Sequence, residues 1–132
     1  MFIRAVITLL CGVGLYVSLF MLRKTRRAER GELREPSVVQ SPRARLIGGT
    51  PNALLGALYY PAFAIAVWFA TAPWQLGLLL TISGFAAVVS LALAYSLLFV
   101  TRMPCTYCWT AHGINLLLAL CNTLLFKVSY WR

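Results

Sequence analysis

The chain holds 132 residues, 61% of them hydrophobic and 11% charged, with a mean hydropathy of +0.79. Those figures exclude a soluble domain with a polar surface, and equally a disordered chain. The formal net charge of +9 does not indicate nucleic-acid binding, because it is concentrated: all three acidic residues (Glu29, Glu32, Glu35) and eight of the twelve basic ones lie within residues 23–45.

Four runs free or nearly free of charge account for the hydropathy: residues 5–22, 53–70, 74–100 and 105–126. Each is long enough to cross about 30 Å of hydrocarbon as a helix. Backbone polar groups in lipid must pair internally, so four packed helices satisfy them. The expected fold is therefore all-α: a four-transmembrane-helix bundle forming a single membrane domain over residues 1–132. Arg4 precedes the first run as in a secretory signal, but no A-x-A site follows and "LRKTRRAER" reads as a stop-transfer flank.

Residues 23–50 form a basic extramembrane loop carrying Pro36, Pro42, Gly48 and Gly49. Anionic headgroups are the default partner of such a loop. Within it, "REPSVVQSPRARLIGG" suits a short helix lying on the membrane surface. The second connection, "TAPW", is long enough only for a turn between antiparallel helices. The third, "TRMPC", brings Pro104 to the first turn of the last helix, where its missing N–H costs nothing. Counting crossings places the basic loop and the head of the fourth helix on one side of the membrane.

The second run presents Asn52, Gly56, Tyr59 and Phe63 at i, i+4, i+7 and i+11, with Tyr60 alongside. Gly56 permits close helix approach, and the aromatics suit either packing or a wall for a flat ring. The Asn52 amide demands partners; capping the second helix is its competing assignment.

The fourth run opens with "MPCTYCWTAHGIN", residues 103–115. Two cysteines at C-x-x-C spacing on a helix start can close a disulfide across one turn. The positive end of the helix favours the thiolate, the species thiol–disulfide exchange requires. At about 100° per residue, Cys105, Cys108, His112 and Asn115 share one stripe, with Cys121 on the far side. Polar groups at membrane depth normally face the bundle interior and mark a functional path. A zinc site needs two further ligands, and one histidine with the distant Cys11 and Cys121 gives no suitable spacing, so no metal is expected. Haem attachment fails because Trp109, not histidine, follows the second cysteine. A chance pair of small residues remains the plain alternative. Cys11 and Cys121 sit mid-helix and read as small hydrophobes.

"CTYCWTAHGIN" resembles the C-x-x-C-x-[TS]-x-[YH]-x-I-N signature of the vitamin K epoxide reductase family. "SPRARLIGGTPNALLGALYYP" resembles that family's stretch from surface helix to second membrane helix, with its S-P, G-x-P and N-x-x-x-G-x-x-x-Y. The resemblance implies a four-helix bundle around a quinone (ubiquinone or menaquinone), in a multi-pass protein of the cell (inner) membrane. It implies that Cys108 meets the quinone and that Cys105 is its exchange partner. Asn52 and His112 match the positions that hydrogen-bond the quinone oxygens, and Gly56, Tyr59, Tyr60 and Asn115 complete the expected quinone-binding set. The implied activity is quinone-linked thiol–disulfide oxidoreduction, with electrons drawn from a thioredoxin-like partner.

Two features depart from the family pattern. Residues 23–50 contain no cysteine, whereas family members usually carry a relay pair in this loop. Either a partner dithiol attacks the Cys105–Cys108 disulfide directly, with the basic loop a candidate docking surface, or the chain is a non-catalytic relative that binds a quinone or a protein. In addition, nine Lys and Arg lie on the C-x-x-C side against three (Arg4, Lys127, Arg132) opposite. The positive-inside rule then expects a cytoplasmic C-x-x-C mouth, while family members typically open to the oxidising exterior. A transporter subunit is a poorer reading, since intramembrane charges and broken helices are missing from the runs.

Overall fold

Four long helices carry the chain: α1 (Phe2–Glu29), α2 (Asn52–Phe69), α3 (Pro73–Ser96) and α4 (Thr106–Tyr130). The structure, a computed structural model, describes every residue except Gly48, and every side chain except those of Arg43, Leu46, Ile47 and Gly48. All four helices are long and apolar enough to cross a membrane. The protein is a multi-pass membrane protein with the expected bundle architecture.

Helix α1 runs past the apolar stretch through "RKTRRAE" to Glu29, because Arg, Lys, Ala and Glu are all good helix formers. Thr25, a poorer one, returns its hydroxyl to the Met21 carbonyl at 2.9 Å. The expected surface helix is present only as two single 3₁₀ turns, Val38–Gln40 and Pro42–Ala44. Pro42 has no N–H to continue the first turn, which explains the break. Val39 buries itself there while the Ser37 N–H donates to Gln40 Oε1 at 3.2 Å. A small antiparallel ribbon, β1 (Arg45–Ile47) with β2 (Thr50–Pro51), follows. Arg45 is bonded to Glu29 and to the Gly49 carbonyl, tying the ribbon to the end of α1.

The remaining boundaries move by a few residues for identifiable reasons. The α2–α3 turn is held by Gln75, whose Oε1 accepts from the Thr71 and Ala72 amides at 2.9 and 3.0 Å, so α3 starts at Pro73. Its far end loosens into a π turn, Leu97–Thr101. Arg102 then adopts a left-handed conformation (φ 53°, ψ 30°) that turns the chain back. Pro104 precedes the first turn of α4 instead of lying in it, because Cys105 takes the capping position.

Helix α1 packs along both α2 and α4, and α4 packs along α3; α2 and α3 share little beyond the turn that joins them. The α1–α2 contact is close because of two glycines. A Cβ on Gly14 would lie 2.6 Å from the Tyr60 ring, and one on Gly56 would collide with Ser18. Cys11 lies in the core with Ile7, Tyr60, Phe63, Val67, Ile114 and Leu118. Outward faces carry the large apolar residues, among them Leu9, Ile65, Phe85 and Leu120, as lipid requires.

Arg4 has a role beyond its charge at the head of the first run. Its guanidinium donates to the carbonyls of Val67 (2.6 Å), Trp68 (3.2 Å) and Ala70 (2.7 Å). These are carbonyls at the end of α2, which have no partner within the helix, at the negative end of its dipole. Beside it, Trp68 Nε1 donates to Thr8 Oγ1 at 2.9 Å.

Candidate functional site

Cys105 and Cys108 form a disulfide with their Cα atoms 5.3 Å apart. The Cys105 sulfur also accepts the Cys108 N–H at 3.2 Å, so a sulfur fills the capping role usually taken by oxygen. Both cysteines are half-buried. Between them, Tyr107 stacks on Phe20 of α1 (ring centroids 4.1 Å apart, 17° between planes), fixing the head of α4 against the last apolar turn of α1.

One turn further into the bundle, His112 is half-buried and meets Trp109 edge-on at 6.3 Å. Asn115 is fully engaged. Its Oδ1 accepts from the Tyr60 hydroxyl at 2.9 Å, and its Nδ2 donates to Ser90 Oγ at 2.6 Å. The bridge thus runs from α2 through α4 to α3. Tyr59 contacts both Tyr60 and Phe63, with centroids 5.2 and 5.3 Å apart. Its hydroxyl is buried and has no hydrogen-bond partner among the described residues. Asn52 is the first residue of α2 and half-buried, while Pro51 takes the cap position. Gly56 faces α1, where Ser18 fills the space beside it.

The structure therefore joins Tyr60 to Asn115 directly and groups Tyr59 with Tyr60 and Phe63. The cysteine pair stands at the end of α4 nearest the basic loop. Among the described residues, no three His, Cys, Asp or Glu side chains come together as a metal site would need. The sequence model described as the vitamin K epoxide reductase family matches residues 5–123, nearly the whole chain. The chain belongs to that family. No curated protein matches it. Membership identifies a quinone-linked oxidoreductase family of the membrane, and the disulfide-bonded C-x-x-C of this member is in place.

Sequence reading missed a polar seam between α3 and α4. Asn122 and Ser83 each lie seven residues from the bonded pair Asn115 and Ser90, on the same helix faces, and all but Asn115 are at most 2% exposed. Ser83 returns its hydroxyl to the Leu80 carbonyl at 3.1 Å. Asn122 Nδ2 and Ser96 Oγ are buried without partners among the described residues. The seven-residue repeat, close to two helical turns, was the available signal.

Proposed function

We propose that the protein is a quinone-linked thiol–disulfide oxidoreductase that cycles the Cys105–Cys108 disulfide. The observation that carries the reading is that disulfide at the head of α4, its Cys108 side one turn from His112. A reduced dithiol protein of thioredoxin type attacks the disulfide directly, since residues 23–50 offer no cysteine to relay through. Two thiols of the partner become its disulfide, and Cys105 and Cys108 take up the two electrons and two protons as thiols. Reoxidation re-forms the disulfide. The quinone, when bound, supplies the acceptor for those two electrons and two protons.

The residues present fit such a ring. A buried Tyr59 hydroxyl without a partner offers a donor, and an unpaired group at that depth favours a ligand that accepts its proton. The Tyr60 hydroxyl donates to Asn115, and Asn115 donates one N–H to Ser90, so the two side chains hold one another as a fixed wall. We assign hydrogen-bonding to the quinone oxygens to Asn52 and His112, with the Tyr59 hydroxyl as a further donor. Gly56 contributes by letting α2 approach α1. Donors fixed in a dry site stabilise charge developing on an acceptor oxygen. The helix end beside Cys108 favours its thiolate. We place the protein in the cell (inner) membrane, with ubiquinone or menaquinone as co-substrate.

The test is quinone reduction, followed by absorbance, by purified protein supplied with dithiothreitol. Cys108→Ala is expected to reduce the rate to the uncatalysed background; equal rates in both proteins overturn the reading. The missing loop cysteines favour a second reading, a non-catalytic quinone- or partner-binding relative. Alkylation trapping in membranes separates the two: quinone-dependent oxidation of Cys105 and Cys108 supports the enzyme, and permanently reduced thiols support the binder.

A further inference from the structure

The apolar part of α1, residues 5–22, spans about 27 Å at 1.5 Å per residue, close to the hydrocarbon thickness of about 30 Å. Arg23, Lys24 and Arg27 therefore emerge at headgroup level. There their aliphatic stems, with Phe20 and Leu33, line an almost wholly apolar groove of about 310 Å³. Among the described residues Arg23 and Lys24 make no ion pair, and Arg27 has only an exposed one, to Glu32 at 3.8 Å. The groove thus combines an apolar lining, walls built by basic residues of which Arg23 and Lys24 are unneutralised among the described residues, and a position at the membrane interface. Each feature matches one part of an anionic phospholipid: the acyl root, the phosphate and the depth at which phosphates lie.

We propose that this groove binds one anionic phospholipid, its phosphate held by Arg23, Lys24 and Arg27 and its glycerol end resting on Phe20 and Leu33. An acidic protein segment fits less well. Leaving the groove, it would cross the adjoining hollow of about 330 Å³, where Glu32 and Glu35 stand among Lys24, Arg27 and Arg34. A single phosphodiester stays within the cationic part. The site shares a wall with the redox centre, because the Phe20 ring that floors the groove also stacks on Tyr107 between the two cysteines.

A built site differs from a diffuse basic belt in stoichiometry and in which charges matter. The experiment uses the full chain in nanodiscs of phosphatidylcholine with a minor fraction of phosphatidylglycerol, released into detergent for native mass spectrometry. One phosphatidylglycerol is expected to remain per chain. The variant Arg23→Gln/Lys24→Gln/Arg27→Gln is expected to retain it at least about tenfold more weakly, given about 1 kcal/mol per juxtamembrane cation. The equally charged variant Arg26→Gln/Arg30→Gln/Arg34→Gln, which spares the groove, is expected to retain it as the unmodified chain does. Arg23→Lys/Arg27→Lys keeps the charge and is expected to keep the lipid, which separates loss of binding from loss of folding.

Equal loss in the two neutralised variants, or no retained lipid in the unmodified chain, overturns the proposal. So does displacement by inorganic phosphate alone, which would make the groove a simple anion site. Groove-dependent binding of a fluorescent glutamate-rich peptide in pure phosphatidylcholine nanodiscs, without lipid retention, would assign it to a protein instead. None of these readouts depends on turnover, so the quinone-linked reading can fail without affecting them.

Discussion

The Tyr60 hydroxyl and the Asn115 side-chain carbonyl meet at 2.9 Å across the bundle, and the other end of the same amide reaches Ser90 at 2.6 Å. Through this one amide α2 is tied to α3, two helices that otherwise share little contact. Interhelical hydrogen bonds in lipid contribute about 0.6–2 kcal/mol each. Tyr60→Phe should therefore lower bundle stability by about 1 kcal/mol. Asn115→Leu should lower it further, because the Tyr60 and Ser90 hydroxyls are both left without a partner. Thermal unfolding in detergent, followed by circular dichroism, orders the two.

Arg4 fastens the start of α1 to the end of α2 through three carbonyls. Arg4→Ala should destabilise the protein by about 1–3 kcal/mol, the range for losing charged hydrogen bonds. Arg4→Lys should recover only part of that, since an ammonium lacks the planar fork that spans several acceptors. Protease susceptibility of the α2–α3 turn in detergent reads the same loss locally.

Glycines of α1 allow a paired comparison. Gly14→Ala places a methyl 2.6 Å from the core ring of Tyr60, whereas a Cβ on Gly12 meets nothing within 4 Å. Overpacking of this kind costs about 1–3 kcal/mol. Gly12→Ala should be neutral or slightly stabilising, because alanine is the better helix former. A lower unfolding temperature for the Gly12 variant than for the Gly14 variant would contradict the packing described for this seam.

The charge distribution predicts an orientation. Nine Lys and Arg stand on the C-x-x-C side against three opposite. The positive-inside rule then keeps the disulfide mouth in the cytoplasm and sends the C-terminus out. Alkaline phosphatase fused after Arg132 should be active and green fluorescent protein at the same site dark. The reverse pattern would turn the mouth to the exterior.

The four spans, their order and the disulfide pair were legible because hydrophobic length and C-x-x-C spacing are local properties of a sequence. The length of α1 was not, because charge marks where a helix leaves lipid and not where it ends. The surface helix was foreseen as one piece, and Pro42 divides it into two turns. Asn115 was expected to share a stripe with Cys105, Cys108 and His112, and both ends of its amide bond other helices, at Tyr60 and Ser90. Which partner satisfies a buried amide depends on helix register, and no single helix carries that information. Arg4 illustrates the same point, since its acceptors lie more than sixty residues away.

The first turn of α4 begins on a sulfur: Cys105 caps the helix by accepting the Cys108 amide at 3.2 Å. Opening the disulfide need not take that acceptor away, and a thiolate at the same place would accept the N–H more strongly. In the proposed cycle the atom that trades electrons would also be the one that stops the helix from fraying, and turnover would leave the backbone scaffold undisturbed.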